Sequence, residues 1–448
     1  MQGFDAVGAP PCILIVIAVS TPNTVAMAKV AKVAKEPKAK WTSVRGKLLD
    51  LSEFKHPGGN IIEFFYGQDA TTAFESFHGH SKDAQRMLAA LPQLETKPDQ
   101  LPVQPPAHTA AMSRMLLDWR KRGLFKPRPL VSGAYGLAVV ATIVLSWCLA
   151  PTYPVVGGLT VGLAWAHCGF LQHMGGHHEL GGLSLPWQNF FEGLCKGGSG
   201  TWWRNRHNKH HAKTNVIGED GDLRTTPFFA WDTTLARQVP DWSLRTQAWT
   251  FLPALSAYVF IFAFSVRKFA MVRRLHVEVA LMVAHYAIFA LALRLAGCSL
   301  GAAVGYYCVG YAFQGMYLGF FFGLSHFAVE RVPSTASWLE SSMHGTVDWA
   351  GASAFAGYVS GFLNVQIEHH MAPQMPMENL RLIRADCKAL AQQFELPYRE
   401  VSFVAALKLM FGGLQETGRA ELKRRHAERA ATKYAGAAMA VLGELKAD

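Results

Sequence analysis

Four apolar runs, at 130–150, 155–171, 277–296 and 300–322, restrict this chain more than any other feature of its sequence. A helix needs roughly 20 mainly apolar residues to cross the hydrocarbon core of a bilayer. The run at 155–171 is marginal by that measure and the other three meet it. Pro151 and Pro154 separate the first pair and a short loop separates the second, so the expected arrangement is two helical hairpins. A fifth run, 249–265, is shorter and contains Pro253. Arg237 and Arg245 precede it and VRKFAMVRR follows it. Basic flanks are retained on the cytoplasmic side of a membrane, so this run is expected to lie in the interface or re-enter rather than to cross. Only 17% of the residues are charged and 50% are hydrophobic, a balance that suits a chain with both membrane spans and soluble parts.

The net charge of +11 would suit either nucleic acid or anionic lipid headgroups. The basic segments near the end, ENLRLIRADCKALAQQF and GRAELKRRHAERAATKY, read as polar or amphipathic helices without interleaved stacking aromatics. That pattern is a solvated face and argues against a nucleic-acid partner. Seven cysteines occur without a CxxC pair, so no disulfide framework or zinc knuckle is expected. PCILIVIAV near the start is short and no Lys or Arg precedes it, unlike a signal peptide or a span. Residues 1–40 are read as a disordered, partly basic leader and 41–92 as a small soluble module. The Pro-rich stretch at 93–109 is a linker. MSRMLLDWRKRGLF then suggests a basic amphipathic helix at a membrane surface.

Eight of the eighteen histidines fall into three compact groups. QHMGGHHE holds His173, His177 and His178; HNKHH holds His207, His210 and His211; QIEHH holds Gln366, Glu368, His369 and His370. Spacings of three or four place His173 with His177, and His207 with His210 and His211, on common helical faces. Each group sits near the end of an apolar segment, where unpaired buried imidazoles would be costly. Imidazole suits iron, copper, nickel and zinc. A closed structural zinc site takes four ligands, so this many histidines fit two metals with open positions better, and oxygen chemistry at iron best. Parity supports convergence. The first hairpin ends at the first group, the second group follows without a crossing, and the second hairpin returns the chain before the third group. This holds only if 249–265 does not cross by itself.

The soluble module carries its own pair. HPGG places His56 on a tight turn where Pro57 sets φ and the glycines allow close approach to a flat ligand. DATTAFESFHGHS follows with His78 and His80. Two axial histidines saturate a haem iron, so that it passes electrons rather than binding oxygen.

With these motifs, residues 41–92 resemble a cytochrome b5 domain and residues 110–416 resemble a membrane fatty-acid desaturase, ahead of a basic C-terminal helix at 417–448. A fused b5 domain with HxxxH, HxxHH and QxxHH boxes resembles the front-end acyl desaturases, and QHMGGHH, HNKHHAKTN and GDLRTTP look most like the algal delta-6 acyl-CoA enzymes. The implied fold is an α-helical polytopic membrane protein of about four transmembrane helices in two hairpins plus an interfacial helix, behind a small α+β haem domain.

The resemblance further implies a di-iron centre held by His173, His177, His207, His210, His211, His369 and His370. Gln366 is a ligand or near-ligand, and His326, at the end of the fourth run, a possible further one. His178 falls outside the HxxxH spacing. Haem b would be held by His56 and His78, with His80 the alternative; the second histidine departs from the usual FHxxS phrase. The implied reaction uses O2 and electrons from NADH-cytochrome b5 reductase, passed through the haem to di-iron. It places a cis double bond between an existing one and the carboxyl end of a polyunsaturated acyl-CoA or phospholipid acyl chain. The expected location is the endoplasmic reticulum membrane, with haem and catalytic parts cytosolic. Delta-5, delta-4 or delta-8 action, a sphingolipid desaturase or hydroxylase, and a non-enzymatic haem membrane protein are the alternatives.

Overall fold

The computed structural model describes residues 40–79, 81–95, 102–327, 329, 331–333 and 335–444. His80 and nearly all of the expected leader lie outside them. The small module opens with an antiparallel hairpin, β1 (Trp41–Val44) and β2 (Lys47–Asp50). Its two-residue turn, Arg45 and Gly46, has φ of 52° and 73°, the twist that keeps two strands paired across so short a loop. Helix α1 (Thr71–His78) follows, pinned at its start by Asp69. That carboxylate accepts from Ser43 Oγ at 2.9 Å, Thr71 N at 3.2 Å and Thr71 Oγ1 at 3.0 Å. A buried anion is tolerated when so many donors converge on it. The anchor fixes where α1 ends, and His78 is its last residue. Helix α2 (Lys82–Ala90) starts at Ser81, whose side chain accepts from Ala84 N, an ordinary N-cap.

Helix α3 (Thr109–Lys121) leads into the membrane part. Helices α4 (Pro129–Leu149) and α5 (Pro154–Gly176) form the first hairpin, each opening on a proline, whose missing N–H costs nothing at a helix start. A short α6 (Ser184–Gln188) runs into a π-helical turn at Asn189–Cys195, and α7 (Gly200–Ala212) carries the second histidine group. After α8 (Thr233–Ala236) comes α9 (Asp241–Val272), then α10 (His276–Leu295) and α11 (Leu300–His326). The remainder wraps the histidine groups: α12 (Trp338–His344), β3 (Asp348–Trp349), α13 (Ala354–Ser360), α14 (Gln366–Met371), α15 (Arg384–Gln393), β4 (Glu400–Val401, parallel to β3) and α16 (Phe403–Glu444).

Small residues set the central packing. A Cβ on Gly162 of α5 would stand 2.7 Å from Gly310 O of α11, and one on Gly158 would stand 3.0 Å from Tyr306 O. The two backbones touch along a small-xxx-small stripe, the usual device where lipid supplies no hydrophobic drive between helices. A Gly162→Val change would force them apart at a cost of about 1–3 kcal/mol. The outward faces are apolar: Leu130 and Leu137 on α4, Phe264 on α9, Leu291 and Leu295 on α10 are exposed. A contiguous surface of this kind marks contact with lipid.

Four described helices are long and apolar enough to cross a membrane: α4, α5, α9 and α10. Helix α11 is 27 residues long and has no Asp, Glu, Lys or Arg. The expected short fifth run is thus part of a continuous helix of 32 residues, with Pro253 inside it. Neighbouring helices tolerate a proline at membrane depth. Its contacts nonetheless keep α9 with the histidine groups. Near its start, Gln247 Nε2 donates to Leu414 O of α16 at 2.6 Å, and Met410 of α16 lies against Gly323 near the end of α11. Leu255 and Val259 meet Gly319 and Gly315 in the half of α11 that leads to His326. Beyond its end, Glu278 of α10 accepts from Thr201 N at 3.0 Å and from Ser199 Oγ, at the start of α7. Both ends of α9 therefore attach to elements that carry or adjoin the histidine groups, while its length and composition are also those of a membrane span.

Candidate metal centre

Helices α5, α7 and α14 present their histidines to one buried space. His173, His177, His207, His211 and His369 each offer a ring nitrogen within 4.8 Å of the others. The closest Nε2 pairs are His207 with His173 at 3.0 Å, His211 with His207 at 3.0 Å and His369 with His211 at 3.1 Å. Two ligands each about 2.0–2.1 Å from a metal ion and at a right angle lie about 2.9 Å apart. The observed spacings are those of neighbouring ligands of one ion. His210, His326 and His370 make a second group with the same 4.8 Å limit. Gln366 joins it, its amide nitrogen 3.0 Å from His326 Nε2. Turned about its last bond, the amide places Oε1 there instead. His210 and His211 are neighbours in sequence, as are His369 and His370, so each pair serves both groups and holds them side by side.

The protons of the second group can be assigned. Thr214 Oγ1 donates its single hydrogen to His210 O at 3.0 Å, so it accepts from His370 Nδ1–H, also at 3.0 Å. His326 Nδ1–H donates to Gly345 O at 3.0 Å. His210 Nδ1–H donates to Asp220 Oδ2 at 2.8 Å. All three rings are thus held with Nε2 unprotonated and aimed inward, the state a metal needs. His177 Nε2, His370 Nε2 and Gln366 Oε1 are buried with no hydrogen-bond partner. Such orphans are expensive in a finished protein, and a bound cation satisfies them. Burial, then repulsion between the rings, holds His207, His211, His369 and His370 well below the usual imidazole range. For His210 burial acts in the same direction, but Asp220's charge and hydrogen bond outweigh it and raise the value.

Other residues of the boxes turn away. His178 is exposed in a left-handed conformation, φ 63°. Glu368 faces Tyr398, whose hydroxyl lies 2.7 Å from its Oε1 and 3.0 Å from Asp348 Oδ2. Burial and the Asp348 charge hold the Glu368 carboxyl well above its usual range. His285 is buried and donates from Nδ1 to Leu194 O at 2.9 Å. Sequence reasoning missed Thr214, Asp220 and the Gly345 carbonyl. Only the nearness of Thr214 and Asp220 to the HNKHH box could have pointed to them.

An apolar cavity of about 290 Å³ opens onto the centre at His207, His210 and His326. Its wall on α11 is the stripe Tyr311, Gln314, Leu318 and Phe322; on α9 it is Leu255, Val259, Phe262 and Val266. Tyr311 precedes His326 by 15 residues, so the cavity follows α11 for roughly 22 Å at 1.5 Å per residue. Asp222, Arg224 and Thr225 line its other, polar part.

In the small module the rings of His56 and His78 face each other with centroids 6.0 Å apart, a separation that leaves room for one metal ion between them. Gly59 adopts φ 79°, and a Cβ on Gly58 would sit 2.8 Å from the His56 ring. The two glycines of HPGG are therefore both required by the turn. The module is docked on the metal-bearing part. Ser76 Oγ donates to Met371 O at 3.0 Å, directly after His370, and Lys213 Nζ donates to Gln68 Oε1 at 3.0 Å.

A haem-type module ahead of a helical membrane part that buries histidine boxes defines a class, and comparison with known proteins agrees. The chain belongs to the fatty acid desaturase family: the family model described as fatty acid desaturase matches residues 117–402. A second, described as a cytochrome b5-like heme/steroid binding domain, matches residues 26–94. It is 30% identical over 407 residues to an acyl-lipid (8-3)-desaturase of Thraustochytrium sp., covering 85% of this chain and 93% of the relative. It is 27% identical over 412 residues to the Delta(5) fatty acid desaturase fat-4 of Caenorhabditis elegans, covering 80% and 89%. It is 26% identical over 410 residues to the Delta(6)-fatty-acid desaturase fat-3 of the same organism, covering 79% and 91%. Its relatives are front-end desaturases, and the chain is a membrane enzyme of that family.

Proposed function

We propose that this protein inserts a cis double bond into a polyunsaturated acyl chain between an existing double bond and the carboxyl end. The carrying observation is the pair of adjoining histidine groups beside an apolar cavity of about 290 Å³ that follows α11. We assign His173, His177, His207, His211 and His369 to one iron, and His210, His326, His370 and Gln366 to the other. We assign His56 and His78 as the two residues that would hold haem b. Four-ligand closure would suit a structural zinc; nine side chains in two adjoining groups suit a pair of ions that work together. When bound, the two irons supply the power to activate O2 and remove hydrogen from an unactivated methylene.

The protein's own part is positional. The α9 and α11 stripes hold the chain straight and exclude water, and their depth selects which carbons stand beside His207, His210 and His326. Asp220, Thr214 and Gly345 O retain the Nδ1 protons, so the inward nitrogens stay unprotonated and open to a metal. Arg224 at the polar part of the cavity faces the headgroup or thioester end. Overall, –CH2–CH2– with O2, two electrons and two protons becomes –CH=CH– and two waters. The electrons come from NADH-cytochrome b5 reductase through the module, and the site faces the cytosol at the endoplasmic reticulum membrane.

The box phrases favour delta-6. A Delta(5) reading is second, because relatives with that position in their names are as similar to the chain as those named Delta(6). Expression in yeast with linoleic, alpha-linolenic and longer polyunsaturated acids tests both, by locating the new double bond in the products. A new bond on the methyl side of the existing ones, or none, would overturn the proposal.

A further inference from the structure

The docked module brings one aromatic ring between the two redox sites. Phe77, the neighbour of His78 on α1, has its ring centroid 6.5 Å from that of His78. On its other side the ring meets His211 edge-on, centroids 6.1 Å apart and planes at 88°. It also meets Trp338 at 5.9 Å. Trp338 is buried and donates from Nε1 to His211 O at 2.9 Å, so it fixes the helix against which Phe77 packs. Among the described residues, His211 is the one box histidine whose ring Phe77 meets. A second connection exists through a hydrogen bond: Ser76 Oγ to Met371 O, one residue beyond His370.

We propose that Phe77 is the contact through which electrons leave the haem module, entering the metal centre on the His211 side. This rests on the desaturase reading above. Each passage takes one electron from ferrous haem, which becomes ferric, and adds it to the metal centre; two passages serve one double bond. No proton accompanies the electron across Phe77, which has none to give. Transfer across packed groups falls steeply with the width of any empty gap, so a close-packed ring matters more than its chemical identity. Phe77 is in this sense a positioning residue. The route also means that the fused module works from its docked place, without leaving the membrane part for each electron.

The test uses the full chain loaded with haem and iron, under argon and without acyl substrate. The haem is reduced by a light flash, and its absorbance is followed as the electron passes to the oxidised metal centre. His207→Ala, which disables that centre, gives the baseline decay. Phe77→Leu and Phe77→Met are expected to slow the metal-dependent decay by about tenfold or more, since a void at van der Waals contact leaves nothing packed in its place. Phe77→Trp should stay within about twofold, because it restores ring contact. Ser76→Ala should also stay near the wild-type rate. The low-spin haem spectrum and the haem midpoint potential should be unchanged in all four, which separates a lost contact from a damaged haem site. Wild-type decay in both Phe77→Leu and Phe77→Met, or slowing in Ser76→Ala alone, would overturn the route while leaving the desaturase reading intact. A wild-type protein with no metal-dependent decay, and no desaturated product in yeast, would overturn both.

Discussion

Asp220 makes the most demanding test of the metal centre, because it lies outside all three histidine boxes and acts on the centre through His210. Its Oδ2 accepts from His210 Nδ1 at 2.8 Å and from Asn215 N at 2.9 Å, and its Oδ1 accepts from Asp222 N at 2.9 Å. All three partners are donors. An Asp220→Asn amide can turn its oxygen to only one side, so at least one N–H must face an N–H. The smaller loss keeps the oxygen toward His210 and gives up the Asp222 bond. Even then the bond to His210 changes from charge-assisted to neutral, a loss of about 1–2 kcal/mol. A tenfold change in affinity is about 1.4 kcal/mol, so iron retention should fall roughly 5- to 30-fold. Loss of a carboxylate behind a metal-bound histidine generally costs about 10–100-fold, which overlaps that estimate. Iron per protein, measured after dialysis against graded chelator, and product yield in yeast should fall together, with the haem spectrum unchanged. Asp222→Asn is the control. Asp222 Oδ2 stands 3.8 Å from His210 and is partly exposed, so its effect should stay below about 1 kcal/mol. Wild-type iron retention and activity in Asp220→Asn would refute the assignment of His210 as a ligand held by this carboxylate.

Three further outcomes are expected. His370→Ala abolishes desaturation while the protein inserts and keeps its haem spectrum; near-full product yield would remove His370 from the ligand set. A glycosylation tag inserted at Arg274, in the turn between α9 and α10, is expected to stay unmodified if, as proposed, that turn is cytosolic; efficient modification would show that α9 crosses the bilayer. His56→Ala and His78→Ala each lose the low-spin haem spectrum; retention in His78→Ala with loss in His80→Ala would move the axial ligand to His80.

The histidine boxes were legible because their spacing is local. Residues three or four apart share a helical face, and His173 with His177, or His207 with His211, need no knowledge of the rest of the chain to be paired. The hairpins were legible for a similar reason, since a run without charge has few places to go other than a membrane or a core. Helix α9 was legible only in part. Its apolar centre and basic flanks indicated the interface, but a proline and short run length hid a helix that extends from Asp241 to Val272. Pro253 removes one backbone donor, while packing on α11 and α16 supplies far more than that bond was worth.

What periodicity could not reveal is pairing across distance in the chain. Thr214 orients His370 from 156 residues away, and Asn215 Nδ2 binds the carbonyls of His326 and Gly345 from 111 and 130 residues away. Neither residue type nor spacing marks Thr214 or Asn215 in a polar stretch such as HAKTN. Yet the Thr214 bond determines which nitrogen of His370 is free, and Asn215 holds the Gly345 carbonyl that does the same for His326. Such bonds also account for the one polar residue of QIEHH that no metal requires. Glu368 points to Asp348 and Tyr398, and Asp348 Oδ1 in turn accepts from Ile367 N at 3.0 Å. Burial and the Asp348 charge push the Glu368 carboxyl up, and with the Tyr398 hydroxyl between them the two side chains hold α14 from behind. His369 and His370 diverge by about 100° along that helix. With α14 held at its back, that divergence places His369 in one histidine group and His370 in the other.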